Sequence, residues 1–192
     1  MAFLISITHQ IQPQIKFLWR KTVIIWCFLC LLEDFSTSRM YVRDTNLDKD
    51  LAERYEIGRI ITERGFVDES SRIGKMTTSH RYLILSAQMA DFSEFENNTD
   101  WDLHTAARNS LFKIIDIYHH RGKTQIALLH LPEGFESVFD RISDIEEKYI
   151  KLSRKKFHES FEMEILPELA DDLWLERCRF PLGMSDDGEF YQ

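Results

Sequence analysis

The chain is poor in residues that build covalent or metal frameworks. It has three cysteines in 192 residues: Cys27 and Cys30 inside the apolar run TVIIWCFLCLL, and Cys178 alone. One cysteine outside that run cannot make an internal disulfide, so the body reads as a disulfide-free protein of a reducing compartment. The Cys-x-x-Cys pair has no second pair and no histidine downstream at zinc-ribbon spacing, so no zinc site is expected there. Glycine (7) and proline (4) are also scarce. No serine sits in a Gly-x-Ser-x-Gly elbow. RIGKMTTSH, residues 72–80, has the Gly74-Lys75 of a phosphate loop, but Glu69 stands at the first glycine position and Met76 at the hydroxyl position. Both positions have mechanical jobs, so this is no phosphate loop.

Long hydrophobic runs and basic charge are missing too. Thr22 to Leu32 is an uncharged run of eleven residues; as a helix it would rise about 17 Å, short of a hydrocarbon core of about 30 Å. Residues 1–39 hold four basic and two acidic side chains, so +2; the other 153 residues carry −10 of the net −8. That acidity disfavours nucleic-acid binding, which rests on phosphate contacts.

What is present suits one globular domain. Hydrophobic content is 44%, with 14 phenylalanines, enough for a core at this length. Residues 1–39 read as an amino-terminal apolar extension: a stretch upstream of a true start at Met40, a membrane anchor, or a cleaved signal. Residues 40–180 read as a single α+β domain, and 181–192 as an acidic, solvated tail.

Within that domain, Thr45 and Asp48 form a capping-box pattern ahead of LDKDLAERYEIGRIITER, which predicts a helix over about 46–64 stopped by Gly65. Residues 80–88 predict a strand, and the acidic stretch 91–104 a long loop. Leu111–His119 and Thr124–Leu131 flank HRGK, with Gly122 free to take positive φ, which predicts a hairpin. Both strands are apolar on both faces and so belong near a sheet centre. A heptad seam, Phe135, Val138, Ile142, Ile145, Tyr149 and Leu152, predicts a helix over 133–166. The expected fold is an antiparallel sheet of at least three strands packed against these helices.

The hairpin carries His119, His120 and His130. With a two-residue Arg121–Gly122 turn, His119 faces Thr124 and His130 faces Lys113, roughly 20 Å apart along the ladder. His119 and His120 point to opposite faces. The three therefore make no joint site. His158 and Glu162 share a helix face at i,i+4, but a zincin needs a second histidine where Glu162 stands. Asp100, Asp102 and His104 alternate in DWDLH, a spacing that aligns donors only on a strand.

No convergent polar set emerges, and no catalytic residue, cofactor or metal is expected. The sequence leads to a non-enzymatic, acidic, cytoplasmic module for protein binding. Its seam residues, Phe135, Val138, Ile142, Ile145, Tyr149 and Leu152, would meet another protein or a second copy. The alternatives are a small hydrolase or nuclease-like enzyme pairing a histidine (His104 or His119) with Asp100 and Asp102, and a membrane-tethered or exported domain. Membrane contact is expected only through residues 1–39.

Overall fold

The computed structural model describes residues 38–132, 143–185 and 187–191. The apolar extension, except for its last residues, and the seam positions Phe135, Val138 and Ile142 lie outside the described residues. So do Cys27 and Cys30, and the first part of the helix expected over 133–166.

Eight strands form one sheet: β1 (Arg39–Thr45), β2 (Ile60–Glu63), β3 (Val67–Ser70), β4 (His80–Ser86), β5 (Ala90–Asp91), β6 (Leu103–Ala106), β7 (Ser110–His120) and β8 (Lys123–Leu131). Their order is β2-β7-β8-β4-β1-β3-β6-β5. All pairings are antiparallel except β4 with β8. With three described α-helices, α1 (Lys49–Ala52), α2 (Ser143–Ser160) and α3 (Asp172–Arg177), this is an α+β fold. None of the described helices is long and apolar enough to cross a membrane.

The helix expected over 46–64 is a single turn followed by a strand. Thr45 ends β1, and its hydroxyl donates to the Arg179 carbonyl instead of capping a helix. Gly58, at φ +91, breaks the helical run. Its N–H goes to the Ile114 carbonyl at 2.7 Å. The β-branched Ile60, Ile61 and Thr62 then pair with β7, Ile61 facing Phe112. Such residues fit a pleated, half-buried surface better than a helix interior, and the waiting edge of β7 decides between the two.

The hairpin forms as the turn chemistry requires, with Arg121 (φ 48) and Gly122 (φ 74) as a two-residue turn and His119 opposite Thr124. A bulge between Ile114 and Asp116 then shifts the register, so that His130 faces Phe112 rather than Lys113. The extra residue also turns Asp116 onto the sheet's outer face. There Arg154 of α2 grips it with two bonds of 2.7 and 2.8 Å. Lys113 reaches Glu146 at 2.8 Å, Gln125 donates to the Ser153 carbonyl, and Phe157 is fully buried. The described part of the seam helix therefore lies against β7 and β8, with Tyr149 and Leu152 half-buried.

The inner face carries the main core: Ile61, Val67, Tyr82, Ile84, Phe112, Ile114, Ile126 and Leu128. The carboxy-terminal stretch expected as a solvated tail packs here instead. Leu182 and Met184 belong to this core, and Met184 bridges to Phe190. The Tyr55 hydroxyl donates to the Leu182 carbonyl at 2.8 Å. Gly183 (φ +74) presses on Ile61, whose Cβ would stand 2.7 Å from an added methyl group. Two apolar residues outweigh the acidic composition around them, because burial stabilises while flanking charges stay in water.

Candidate active site

β1 and β3 touch at one residue pair only, Val42 with Ser70. The strands splay beyond it, and the end of α3 enters the gap. Arg43 of β1 binds there, donating to the Asp68 carbonyl at 3.0 Å and the Arg177 carbonyl at 3.1 Å. α3 itself is fixed on the outer face by Trp174, packed with Leu169, Cys178 and Trp101. Asp171 caps it, accepting from the Leu173 N–H. This anchoring brings Arg177 over the Trp101 ring and onto Asp68, at 2.5 Å between Nε and Oδ2. The other Asp68 oxygen accepts the Thr105 hydroxyl at 2.7 Å.

Asp68, Thr105 and Arg177 line a cavity of about 440 Å³ together with Phe66 and Phe92. Ligand cavities are commonly about 300–1,000 Å³. Phe66 is 67% exposed and Phe92 41%. Two open aromatic rings beside an arginine–carboxylate pair can stack a planar ring system and hold charge of either sign at its end.

Behind this wall, on the core face, lies a second polar set. Glu69 is fully buried, and neither carboxyl oxygen has a hydrogen-bond partner. Burial pushes its carboxyl well above the usual range; the Arg43 guanidinium opposes this, and Asp68 adds to it. Glu69 is in register with His104, whose ring lies 4.9 Å from Tyr41. An acid whose folded-state pKa is raised contributes stability that is fully present below its ordinary pKa and lost as pH rises through the folded value. The wild-type protein should therefore lose stability upward from about pH 4.5, and Glu69→Gln should lack that component. Urea midpoints of both proteins at mildly acidic and neutral pH check this. Parallel pH slopes would show that Glu69 ionises freely in the fold.

The residues singled out in the sequence do not converge. Asp100 pairs with Arg72 at 2.8 Å, and the Asp102 carboxylate takes the Ser71 hydroxyl. Both aspartates have positive φ, so the alternation of DWDLH does not describe a strand. His104 is buried on β6 and donates from Nδ1 to the Asp102 carbonyl at 3.0 Å. Its Nε2 is 3.8 Å from Asp91. His119 bonds Thr124 on β8. Five strand spacings separate β7 from β6 in the sheet order, about 24 Å. His158 is engaged by the Tyr118 hydroxyl and Glu162 by Arg121. Among the described residues no group of three or more metal-ligating side chains assembles. Cys178 is buried, and its thiol is pushed up to about 12, chiefly by burial. It is not a nucleophile in this fold.

The cavity residues were invisible as a pattern. Phe66 and Asp68, Phe92, Thr105 and Arg177 come from four separate stretches. The one local signal was an arginine beside a cysteine near the carboxy terminus.

No protein-family profile and no curated protein matches the chain. Solved structures similar to it include the type III effector XopAI from Xanthomonas axonopodis pv. citri, at 15% identity and TM-score 0.43, covering 51% of this chain and 46% of that one. Exoenzyme S from Pseudomonas aeruginosa, solved with human 14-3-3 protein beta and Carba-NAD, is 13% identical over 58% of this chain and 61% of its own, TM-score 0.42. The ADP-ribosyltransferase HopU1 of Pseudomonas syringae pv. Tomato is 17% identical over 49% and 45%, TM-score 0.44. The chain thus spans about half the length of the effector structures it matches. The expectation of a non-enzymatic, protein-binding module is corrected here, because the similar structures with a stated activity are enzymes.

Proposed function

We propose that this chain is an enzyme that transfers an ADP-ribosyl group, taking a nicotinamide dinucleotide as donor in the cavity between Phe66, Phe92 and Arg177. The observation that carries this reading is the cavity's lining: two exposed aromatic rings in one cavity with a paired arginine and carboxylate. A dinucleotide offers the matching parts. Its planar bases suit Phe66 and Phe92, its diphosphate suits the Arg177 guanidinium, and a positively charged ring suits Asp68. Such a donor supplies a glycosidic carbon that takes on oxocarbenium character as its bond to the ring nitrogen breaks, and a nearby carboxylate stabilises that charge. Asp68 is the carboxylate at the cavity. Thr105 and Arg177 hold both of its oxygens in place, as a preorganised electrostatic group must be held.

A protein acceptor is consistent with the net charge of −8, which disfavours the phosphate contacts of nucleic-acid binding. The neighbour exoenzyme S was itself solved with a protein partner.

The test is calorimetric binding of NAD⁺ to the full chain, followed by assay of nicotinamide release. Phe92 is 41% exposed and outside the core clusters, so Phe92→Ala leaves the core intact. It should weaken NAD⁺ binding by about 1–3 kcal/mol, the worth of one stacked base. Arg177→Ala should weaken it further. Absence of NAD⁺ binding to the wild-type chain at millimolar concentration would overturn the reading.

A further inference from the structure

A second cavity, of about 460 Å³, opens between the ends of β4 and β8 and the turn joining β6 to β7. It shares Gln88 and Ala107 with the first cavity but has a different character. No acidic side chain is among its lining residues, although the body of the chain carries −10.

Its most buried titratable lining residue is His130, 7% exposed, its ring tilted against Phe112 at 4.7 Å. His130 Nδ1 lies 2.7 Å from the Ser86 hydroxyl oxygen. That oxygen already accepts the Gln88 backbone N–H at 2.9 Å. The Ser86 proton has one acceptor within reach, the imidazole Nδ1, so Nδ1 is the bare nitrogen and Nε2 carries the hydrogen. Burial pushes the imidazole down to about 4, which keeps it neutral and preserves this tautomer at physiological pH. Nε2–H has no partner among the described residues.

Three further donors around the cavity are unengaged. The Arg108 side chain uses Nε for the Arg64 carbonyl at 3.4 Å and leaves both terminal nitrogens free. The side-chain amides of Asn109 and Gln88 bond to nothing within the described residues. The turn presenting Arg108 and Asn109 is held in shape. Asn109 sits at φ 62, and the Ser110 hydroxyl donates to the Ala107 carbonyl at 2.7 Å.

We propose that this cavity binds an oxyanion, a carboxylate or phosphate group of a small ligand, with His130 Nε2–H as its fixed inner donor and Arg108 as its counter-charge. A cavity with four donor groups and no acidic side chain among its lining residues offers what such a group requires, and a charged acceptor strengthens each bond. The inference does not depend on the dinucleotide reading: it concerns different donors and is tested with different ions.

The experiment is nitrogen-15 NMR of the full chain, titrated separately with inorganic phosphate and with acetate. The expected result is His130 as the Nε2–H tautomer. One of the two ions should shift His130 Nε2 and the Arg108 Nε signal together, saturably, in the millimolar range. The ion that does so tells a phosphate-bearing ligand from a carboxylate-bearing one. Arg108 is exposed, so Arg108→Gln keeps the fold and should weaken the preferred ion about tenfold. An Nδ1–H tautomer would overturn the proposal. So would the lack of a saturable shift with either ion, or shifts unchanged by Arg108→Gln. Loss of NAD⁺ binding with an intact oxyanion response would overturn only the transferase reading.

Discussion

Replacing Asp44 by alanine should cost about 3–5 kcal/mol of folding free energy, the penalty for stranding one charge of a buried pair. Asp44 of β1 and Arg81 of β4 are directly opposite in the antiparallel ladder. The guanidinium is 2% exposed, and the two bonds between the groups are 2.6 and 2.7 Å. Arg81 also donates to the Gly74 carbonyl at 2.8 Å. Leu166 packs close over Gly74, within 2.7 Å of where a side chain would begin. With Asp44 gone, a positive charge remains among apolar neighbours with one carbonyl for company. Urea unfolding at neutral pH measures the loss. An Asp44→Leu/Arg81→Met double variant should recover most of it, since an apolar pair removes the stranded charge along with its partner. A single-variant cost below about 1 kcal/mol, the worth of a surface pair, would mean that the site is wet.

Trp174→Ala should have a comparable cost, about 3–5 kcal/mol for a buried tryptophan, and a functional effect besides. Trp174 is 1% exposed and tilted against Trp101 at 5.3 Å. It is the one fully buried residue of α3. Without it that six-residue helix has too little intrinsic stability to stay placed. Arg177 would then leave Asp68, and Arg43 would lose the Arg177 carbonyl. NAD⁺ binding should fall by at least the loss seen with Arg177→Ala, even at temperatures where the sheet persists. Full affinity in folded Trp174→Ala protein would show that the cavity does not need α3.

How much of this could be read in the sequence depended on how local each signal was. The hairpin was legible because its turn and both of its strands are contiguous, and Gly122 needs no distant partner to adopt its φ. Its register was legible only as far as the bulge, since nothing local announces the extra residue at Ile115. The helix expected over 46–64 misled because the apolar spacing of Leu47, Leu51, Tyr55 and Ile61 suits two structures. Leu47, Tyr55 and Ile61 are buried as that spacing implies, but from a turn and a strand. The three histidines of the hairpin stand opposite Thr124, Lys123 and Phe112. The functional reading drawn from their dispersal, a module without chemistry, did not survive the comparison with solved enzymes.

The sequence by itself determined the α+β class, the hairpin, and the acidity and low cysteine content of the body. Each of those follows from composition or from a few adjacent residues. Tertiary structure decided which strands became neighbours, that β1 and β3 splay, and that the last residues return to the core. It also decided both cavities. Their walls join residues as far apart as Phe66 and Arg177, and Gln88 and His130. Such contacts are selected by the burial of whole faces and by loop closure, whose energies belong to the folded chain and to no short stretch of it.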